Sequence, residues 1–190
     1  MPTADPGDEL VEVVDPQGRV LDVVSRRRMR RETLRHRCTY VAVLVGLPHL
    51  VGEAAGSGVD AETLLVVHQR ADWKDTYPSY WDVAFGGVCG VGERWLPSAE
   101  RELAEEAGIT GAPLVDLGSG RYEQQDNRVV GRVFLAAWPH EPVLTDGEVV
   151  AVDRVPLGHL AQWSLTVPLC PDSAALVIPR LLGLIADRAI

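Results

Sequence analysis

Gly87-Val-Cys-Gly-Val-Gly-Glu93-Arg-Trp-Leu-Pro-Ser-Ala-Glu-Arg101-Glu102-Leu103-Ala-Glu105-Glu106-Ala-Gly108-Ile109 is the stretch on which the reading of this chain turns. Pro97 to Ala107 reads as a helix. Pro97 suits the first turn, where a missing N–H costs nothing, and Gly108 suits the left-handed residue that ends a helix. Ala99, Leu103 and Ala107 recur at every fourth position and make a narrow apolar stripe that can lie on a sheet. At about 100° per residue, Glu102, Glu105 and Glu106 fall within an arc of roughly 100° beside that stripe. Three like charges so close repel one another. A bound Mg²⁺ or Mn²⁺ offsets the repulsion, because hard cations take oxygen ligands.

Just ahead of the helix, Gly86 to Gly92 holds four glycines in seven residues. Such a segment turns sharply and brings backbone groups close to a metal or a phosphate. Glu93 and Arg101 are spaced to brace this loop against the helix. A Glu-rich helical turn alone is most often a solvated acidic face. The whole pattern is Gly, any five, Glu, any seven, Arg-Glu-Leu, any one, Glu-Glu, any one, Gly-Ile. Its chance occurrence in a chain of this length is roughly 10⁻⁶.

The segment resembles the Nudix box at every defining position, and it covers 23 of the 190 residues. The resemblance implies an α/β fold, a Nudix-type α/β/α sandwich with a mixed central sheet. It also implies divalent-metal-dependent cleavage of a pyrophosphate bond, in a nucleoside diphosphate linked to another group or a similar small-molecule diphosphate. Carried over by position, Glu102, Glu105 and Glu106 hold the metal, with the Gly87 carbonyl as a further ligand. Glu148 matches the downstream acidic residue that completes the site as a ligand or base; an exposed strand-edge carboxylate is the alternative. Glu105 is the first choice of general base and Glu148 the second, and Arg101 is grouped with them. Arg70, Trp81 and Gly86 are expected on the substrate side.

At 190 residues, 46% of them apolar, the expectation is one domain over residues 1–190 with a substantial core. No apolar run reaches the length needed to span a membrane. Met1 to Leu10 is acidic and does not read as a secretory signal. Cys38, Cys89 and Cys170 form neither a disulfide framework nor a zinc pattern, which fits a reducing cytoplasm. The net charge of −9 argues against general nucleic-acid binding. Seven arginines nevertheless crowd into Arg26–Arg37. They are either a solvated helix or turn, or an anion-attracting edge near the substrate path.

Leu10–Val14 and Val20–Val24 flank Asp15-Pro-Gln-Gly18 and predict a hairpin over residues 10–24, which could supply an edge for a homodimer. Thr39–Val45 reads as a buried strand partnered by Leu64–Gln69, with a long flexible loop over 46–62 between them. Residues 71–80 form a polar, aromatic loop. Trp73, Tyr77, Tyr80 and Trp81 could wall a base or an isoprenoid, or simply pack. Leu114–Leu117, Gly120–Gln124 and Val129–Trp138 suggest a meander, followed by a strand over Glu148–Val155 and a short helix over Leu157–Gln162. Asp172 or Ser173 is read as the cap of a final helix that runs to about Arg188 and is kinked, or delayed in its start, by Pro179.

The order of Asp15-Pro-Gln-Gly18, Leu34-Arg35-His36-Arg37, Trp81, the box and Asp146-Gly147-Glu148-Val149 looks like the Nudix branch that includes isopentenyl-diphosphate isomerase. That isomerase chemistry requires a cysteine and a histidine where this chain has Gly86 and Val88. His36 corresponds to a metal-ligand region of that branch. Hydrolysis is therefore the leading expectation, with isomerisation and non-catalytic metabolite sensing as alternatives.

Overall fold

Alternation along His36–Val45 sends Tyr40, Ala42 and Leu44 to one side and Val41 and Val43 to the other, and all five are buried. A strand buried on both faces belongs in the middle of a layered structure. The computed structural model describes residues 6–46, 58–144 and 147–186. Its strands are β1 (Leu10–Val14), β2 (Val20–Ser25), β3 (His36–Val45), β4 (Leu64–Arg70), β5 (Trp81–Asp82), β6 (Leu114–Glu123), β7 (Arg128–Trp138) and β8 (Val149–Pro156). Its α-helices are α1 (Arg26–Arg31), α2 (Trp95–Ala107), α3 (Leu160–Trp163) and α4 (Pro171–Ala186).

The eight strands make one mixed sheet. β3 and β7 run parallel over ten residue pairs, from His36↔Val129 to Val45↔Trp138, and the other strand pairs are antiparallel. Tyr40, Ala42 and Leu44 join Val133 and Leu135 of β7 and Leu176, Val177 and Leu181 of α4 in one core. Val41 and Val43 join Phe134 and Ala136 and the α2 stripe of Ala99, Leu103 and Ala107 in a second core. The expected α/β/α sandwich is present, with α2 on one face and α4 on the other.

Several local expectations hold. Asp15 Oδ1 accepts from the N–H groups of Gln17 (2.8 Å) and Arg19 (2.9 Å), and Gly18 takes φ 80°, so the predicted turn closes the β1–β2 hairpin. β2 is the edge strand, and its Val20, Leu21 and Val23 are exposed. Gly108 ends α2 at φ 64°.

Other expectations change. β4 meets β3 only at Leu65 and Leu64; its long partner is β8. Residues 114–123 form one strand rather than two. Asp116 accepts from the Gly118 N–H (2.8 Å) and the register shifts between Asp116 and Ser119, so a bulge carries the ladder across the glycines. The meander is not formed, because β7 passes to β3 and β8 to β4. α2 begins two residues earlier than predicted. α4 begins at Pro171, where the lost N–H is harmless, and continues through Pro179. The proposed end of that helix, most of the 46–62 loop and Asp146 lie outside the described residues.

The cleft that matters follows from the short β3–β4 contact. Below Leu44 the two strands diverge, and residues 85–89 take the vacant edge of β3. Val41 N–H donates to Phe85 O (2.7 Å), Thr39 N–H to Gly87 O (3.0 Å) and Cys89 N–H to Arg37 O (3.0 Å). The glycine loop is thereby stitched to the central strand, directly before α2.

Candidate active site

Helical spacing places Glu102 and Glu106 one turn apart on the flank of the apolar stripe, where both are buried, and turns Glu105 toward solvent. At Gly86 and Gly87 the loop beneath them is too close to its neighbours for a side chain to fit without displacement. A Cβ on Gly86 would sit 2.0 Å from Thr39 O, at a φ of +150°. A Cβ on Gly87 would sit 2.7 Å from the Glu102 carboxylate. The two glycines therefore let backbone pass between β3 and the acidic helix, and the Gly86 N–H donates to Glu106 Oε2 (3.0 Å). The Gly87 carbonyl accepts from Thr39 and retains one lone pair.

Arg101 braces loop and helix as expected. Its Nε and Nη2 grip Glu93 (3.0 and 2.9 Å), while Nη1 reaches Glu102 (2.8 Å) and Glu105 (3.0 Å). Hydrogen bonds from Arg101 hold the Glu93 carboxyl down to about 2. The N-terminal hairpin joins this brace. Glu12 accepts from Gly92 N–H (2.8 Å) and Arg37 (2.7 Å), and Arg37 also donates to Glu93 O (2.7 Å) and lies over the Trp95 ring.

Burial, and then the neighbouring charge of Glu102, pushes the Glu106 carboxyl up to about 8. Burial also raises Glu102, against the pull of Arg101. Two adjacent carboxylates with disfavoured charge, beside a glycine loop, have the chemistry of a hard-cation site. In this conformation the acids are tied to other partners. Arg101 binds Glu102 and Glu105, the Gly86 amide binds Glu106, and Lys74 pairs with Glu148. Among the described residues, no three acidic, histidine or cysteine side chains are gathered into a ready-made ligand shell. The residue types present fit a hard cation, which takes carboxylate and carbonyl oxygens.

All four glutamates border one cavity of about 640 Å³, together with Gly86, Gly87, Arg70 and Arg101. Ala71 N–H donates to Glu148 O (2.8 Å), which sets the start of β8 beside the end of β4 and so places Glu148 next to Arg70. Arg70 Nε donates to Thr76 O (3.2 Å). Its guanidinium makes no ion pair among the described residues, although burial works against its charge and Asp82, Glu106 and Asp172 hold it protonated.

Trp81 is the one expected site residue that the structure does not bring to the cavity. It packs edge-to-face on Trp163 at 5.9 Å, in the cluster under α4. Its ring is needed there to close the core beneath β5. Trp73 is exposed, and of the four aromatic residues only Tyr77 lines the cavity. His36 is buried with Nδ1 against Leu34 O (3.0 Å), away from the cavity. His68 stacks on Phe85.

The cavity also contains residues not anticipated individually. Arg26 and Arg30 stand four apart on α1 and face it, pairing with Glu9 and Asp75. Two of the seven arginines of the run thus line the cavity, and Arg27, Arg28 and Arg31 are solvent-exposed. Lys74, Asp82, Asn127 and Asp172 line it as well. Asp82 had a sequence signal, a carboxylate within the apolar stretch Trp81–Phe85. Asp172 had been read as a helix cap. Asn127, in the turn between β6 and β7, had no signal at all.

Comparison with known proteins agrees with this geometry. The family model described as NUDIX domain matches residues 54–170. A Yersinia pestis protein described as an uncharacterised Nudix hydrolase is 36% identical over 126 residues, covering 66% of this chain and 61% of that protein. The matched region is thus less than two thirds of that relative's length. An uncharacterised Nudix hydrolase of Pseudomonas aeruginosa is 34% identical over 166 residues, covering 87% of this chain and 89% of that protein. Among solved structures, Deinococcus radiodurans DR0079 superimposes with a TM-score of 0.69 at 19% identity, over 91% of this chain and 99% of its own.

Proposed function

The chain belongs to the Nudix family, and on that premise we propose that it is a divalent-metal-dependent hydrolase of a pyrophosphate bond in a small-molecule diphosphate. Arg70 carries the reading. Its half-buried guanidinium lines the cavity that holds the acidic helix, makes no ion pair among the described residues and donates only through Nε to Thr76 O, so its remaining donors can take a phosphate. Lys74, Arg26 and Arg30 add positive charge to the same walls. A phosphate chain would thus lie between a cationic wall and an acidic helix.

Glu102 and Glu106 would hold the metal from the buried side, with Glu105 and Glu148 completing the set as they leave Arg101 and Lys74. The metal, when bound, neutralises phosphate charge and acidifies a water ligand. Glu105 removes the proton from the attacking water; Glu148 is the second candidate. Arg101 is a positioning residue, since its donors are committed to Glu93, Glu102 and Glu105. Arg70 and Lys74 orient the phosphates. Gly86 serves through its amide on Glu106 and its close approach to Thr39 rather than through a substrate contact.

Isomerisation is disfavoured by Gly86 and Val88, and Cys89 does not stand in for the missing thiol. Cys89, the nearest thiol in sequence, is buried, does not line the cavity, and has its pKa pushed up to about 11 by burial. The deciding experiment incubates the protein and its Glu105→Gln variant with Mg²⁺ and a panel of nucleoside diphosphate derivatives and isopentenyl diphosphate. Metal-dependent release of a phosphomonoester, phosphate or pyrophosphate that falls by about 10² or more in the variant supports hydrolysis. Double-bond migration without phosphate release overturns it.

A further inference from the structure

A second cavity, of about 710 Å³, opens on the α2 face of the sheet. Strand alternation builds its floor. Arg37 of β3 shares a face with Val41 and Val43, and its register partner Val130 of β7 shares that face with Arg132, Phe134 and Ala136. Across the β6–β7 ladder Ser119 stands opposite Arg132, and Arg121 opposite Val130. The apolar stripe of α2 rests on the end of this face that holds Val41, Val43, Phe134 and Ala136. The arginine end forms the cavity, walled by Trp95 in the first turn of α2 and by Gln17 of the hairpin turn.

Among the described residues no acidic side chain lines this cavity, in a chain whose net charge is −9. The acids around it are already bound. Glu12 holds Arg37 (2.7 Å), Asp116 holds Arg132 Nε (2.9 Å), and Glu123 takes Arg35 through both oxygens (2.7 and 2.8 Å). The charge left over is that of Arg121, whose exposed side chain makes no ion pair or hydrogen bond among the described residues. Arg37 keeps capacity too. Its Nη2 serves Glu12 and Glu93 O, and its buried Nε has no hydrogen-bond partner. The Ser119 hydroxyl accepts from Arg132 (3.2 Å) and retains its own proton to donate. A concave wall of one sign concentrates the opposite charge, and arginine forks match phosphate oxygens.

We propose that this cavity is a second anion site, separate from the acidic helix, and that it binds a small phosphate-bearing molecule without a metal. Arg121 and Ser119 meet the phosphate from β6, and Arg37 supplies charge at the floor. Metal independence follows from the donors: with no carboxylate in its wall, the cavity offers a hard cation little to coordinate. Arg37 also braces the glycine loop through Glu12 and Glu93, whereas Arg121 holds nothing else among the described residues, so Arg121 is the residue to remove.

Titration of the protein in EDTA with inorganic phosphate and with AMP, at fixed low ionic strength, tests this. The readout is the NMR resonance of the Trp95 indole N–H, assigned by its loss in Trp95→Phe. A saturable shift is expected. A shift with AMP alone makes the ligand a phosphomonoester, and a shift with both at similar affinity makes free phosphate sufficient. Arg121→Ala should weaken binding about tenfold, and Arg70→Ala, in the other cavity, should leave it within about twofold. A Trp95 resonance that never moves, or that titrates unchanged in Arg121→Ala, overturns the site. Loss of the shift in Arg70→Ala overturns its separateness from the acidic helix. A single-stranded oligonucleotide that binds far more tightly than AMP in the same assay overturns the assignment to a small molecule.

Discussion

Glu106 shows how one residue's environment sets its function. A carboxyl pushed up to about 8 by burial and by Glu102 is largely protonated at neutral pH in the metal-free protein. A cation bound there must displace that proton, so Mg²⁺ affinity should rise as pH increases from 6 to 8.5. Mg²⁺ titrations at several pH values check this, and a flat profile would remove Glu106 from the metal set. Gly87 gives a second prediction at this scale. A methyl group placed 2.7 Å from the Glu102 carboxylate must move it. Gly87→Ala should therefore weaken Mg²⁺ binding by about tenfold or more while thermal unfolding stays cooperative. Unchanged metal affinity would mean that Glu102 is not a ligand.

At the scale of elements, α2 does two jobs with two faces. Its Ala99–Leu103–Ala107 stripe anchors it to the sheet and thereby fixes the depth at which Glu102 and Glu106 sit. Leu103→Ala should cost about 2–5 kcal/mol of stability, read as a drop in urea midpoint. Trp81 belongs to the opposite layer, against Trp163. Trp81→Ala should lower the melting temperature and leave KM within about twofold, because the lost contact is packing. A large rise in KM with stability intact would return Trp81 to the substrate site. The β1–β2 hairpin, through Glu12 and Arg37, holds the glycine loop as a further brace.

For the whole molecule, two histidines buried behind the cavity's charged wall shape the acid limb of stability. Burial first, and nearby arginines after it, hold His36 and His68 at about 3 against an ordinary 6.5. The unfolded chain takes up these protons as pH falls through 6.5, while the folded chain resists until about 3. Their contribution is thus complete above 6.5 and lost progressively between 6.5 and 3. Urea midpoints should fall over that range, and His68→Gln should flatten the slope. Buried Asp82, pushed up to about 6, works in the opposite direction as pH rises through that value. Across the described residues, no helix is long and apolar enough to cross a membrane. Much of this architecture is legible in the chain, because local rules govern it: the α2 stripe, the Asp15–Gly18 turn, the end of α2 at Gly108 and the Glu93–Arg101 spacing all depend on residues near one another. The continuity of the 114–123 strand is not legible for the same reason, since a glycine looks like a break until a neighbouring strand carries the ladder across it. The sequence by itself determined the box and its acidic helix, because helical periodicity and glycine geometry need no distant partner, and the sandwich followed only as what the resemblance of the box implies. Only the tertiary structure decided that β3 and β4 diverge, that Arg70 stands between Glu106 and the Asp82–Asp172 pair, and that Tyr40, Asn127 and Asp172 meet. Those contacts join positions up to 132 residues apart, and no local pattern encodes them.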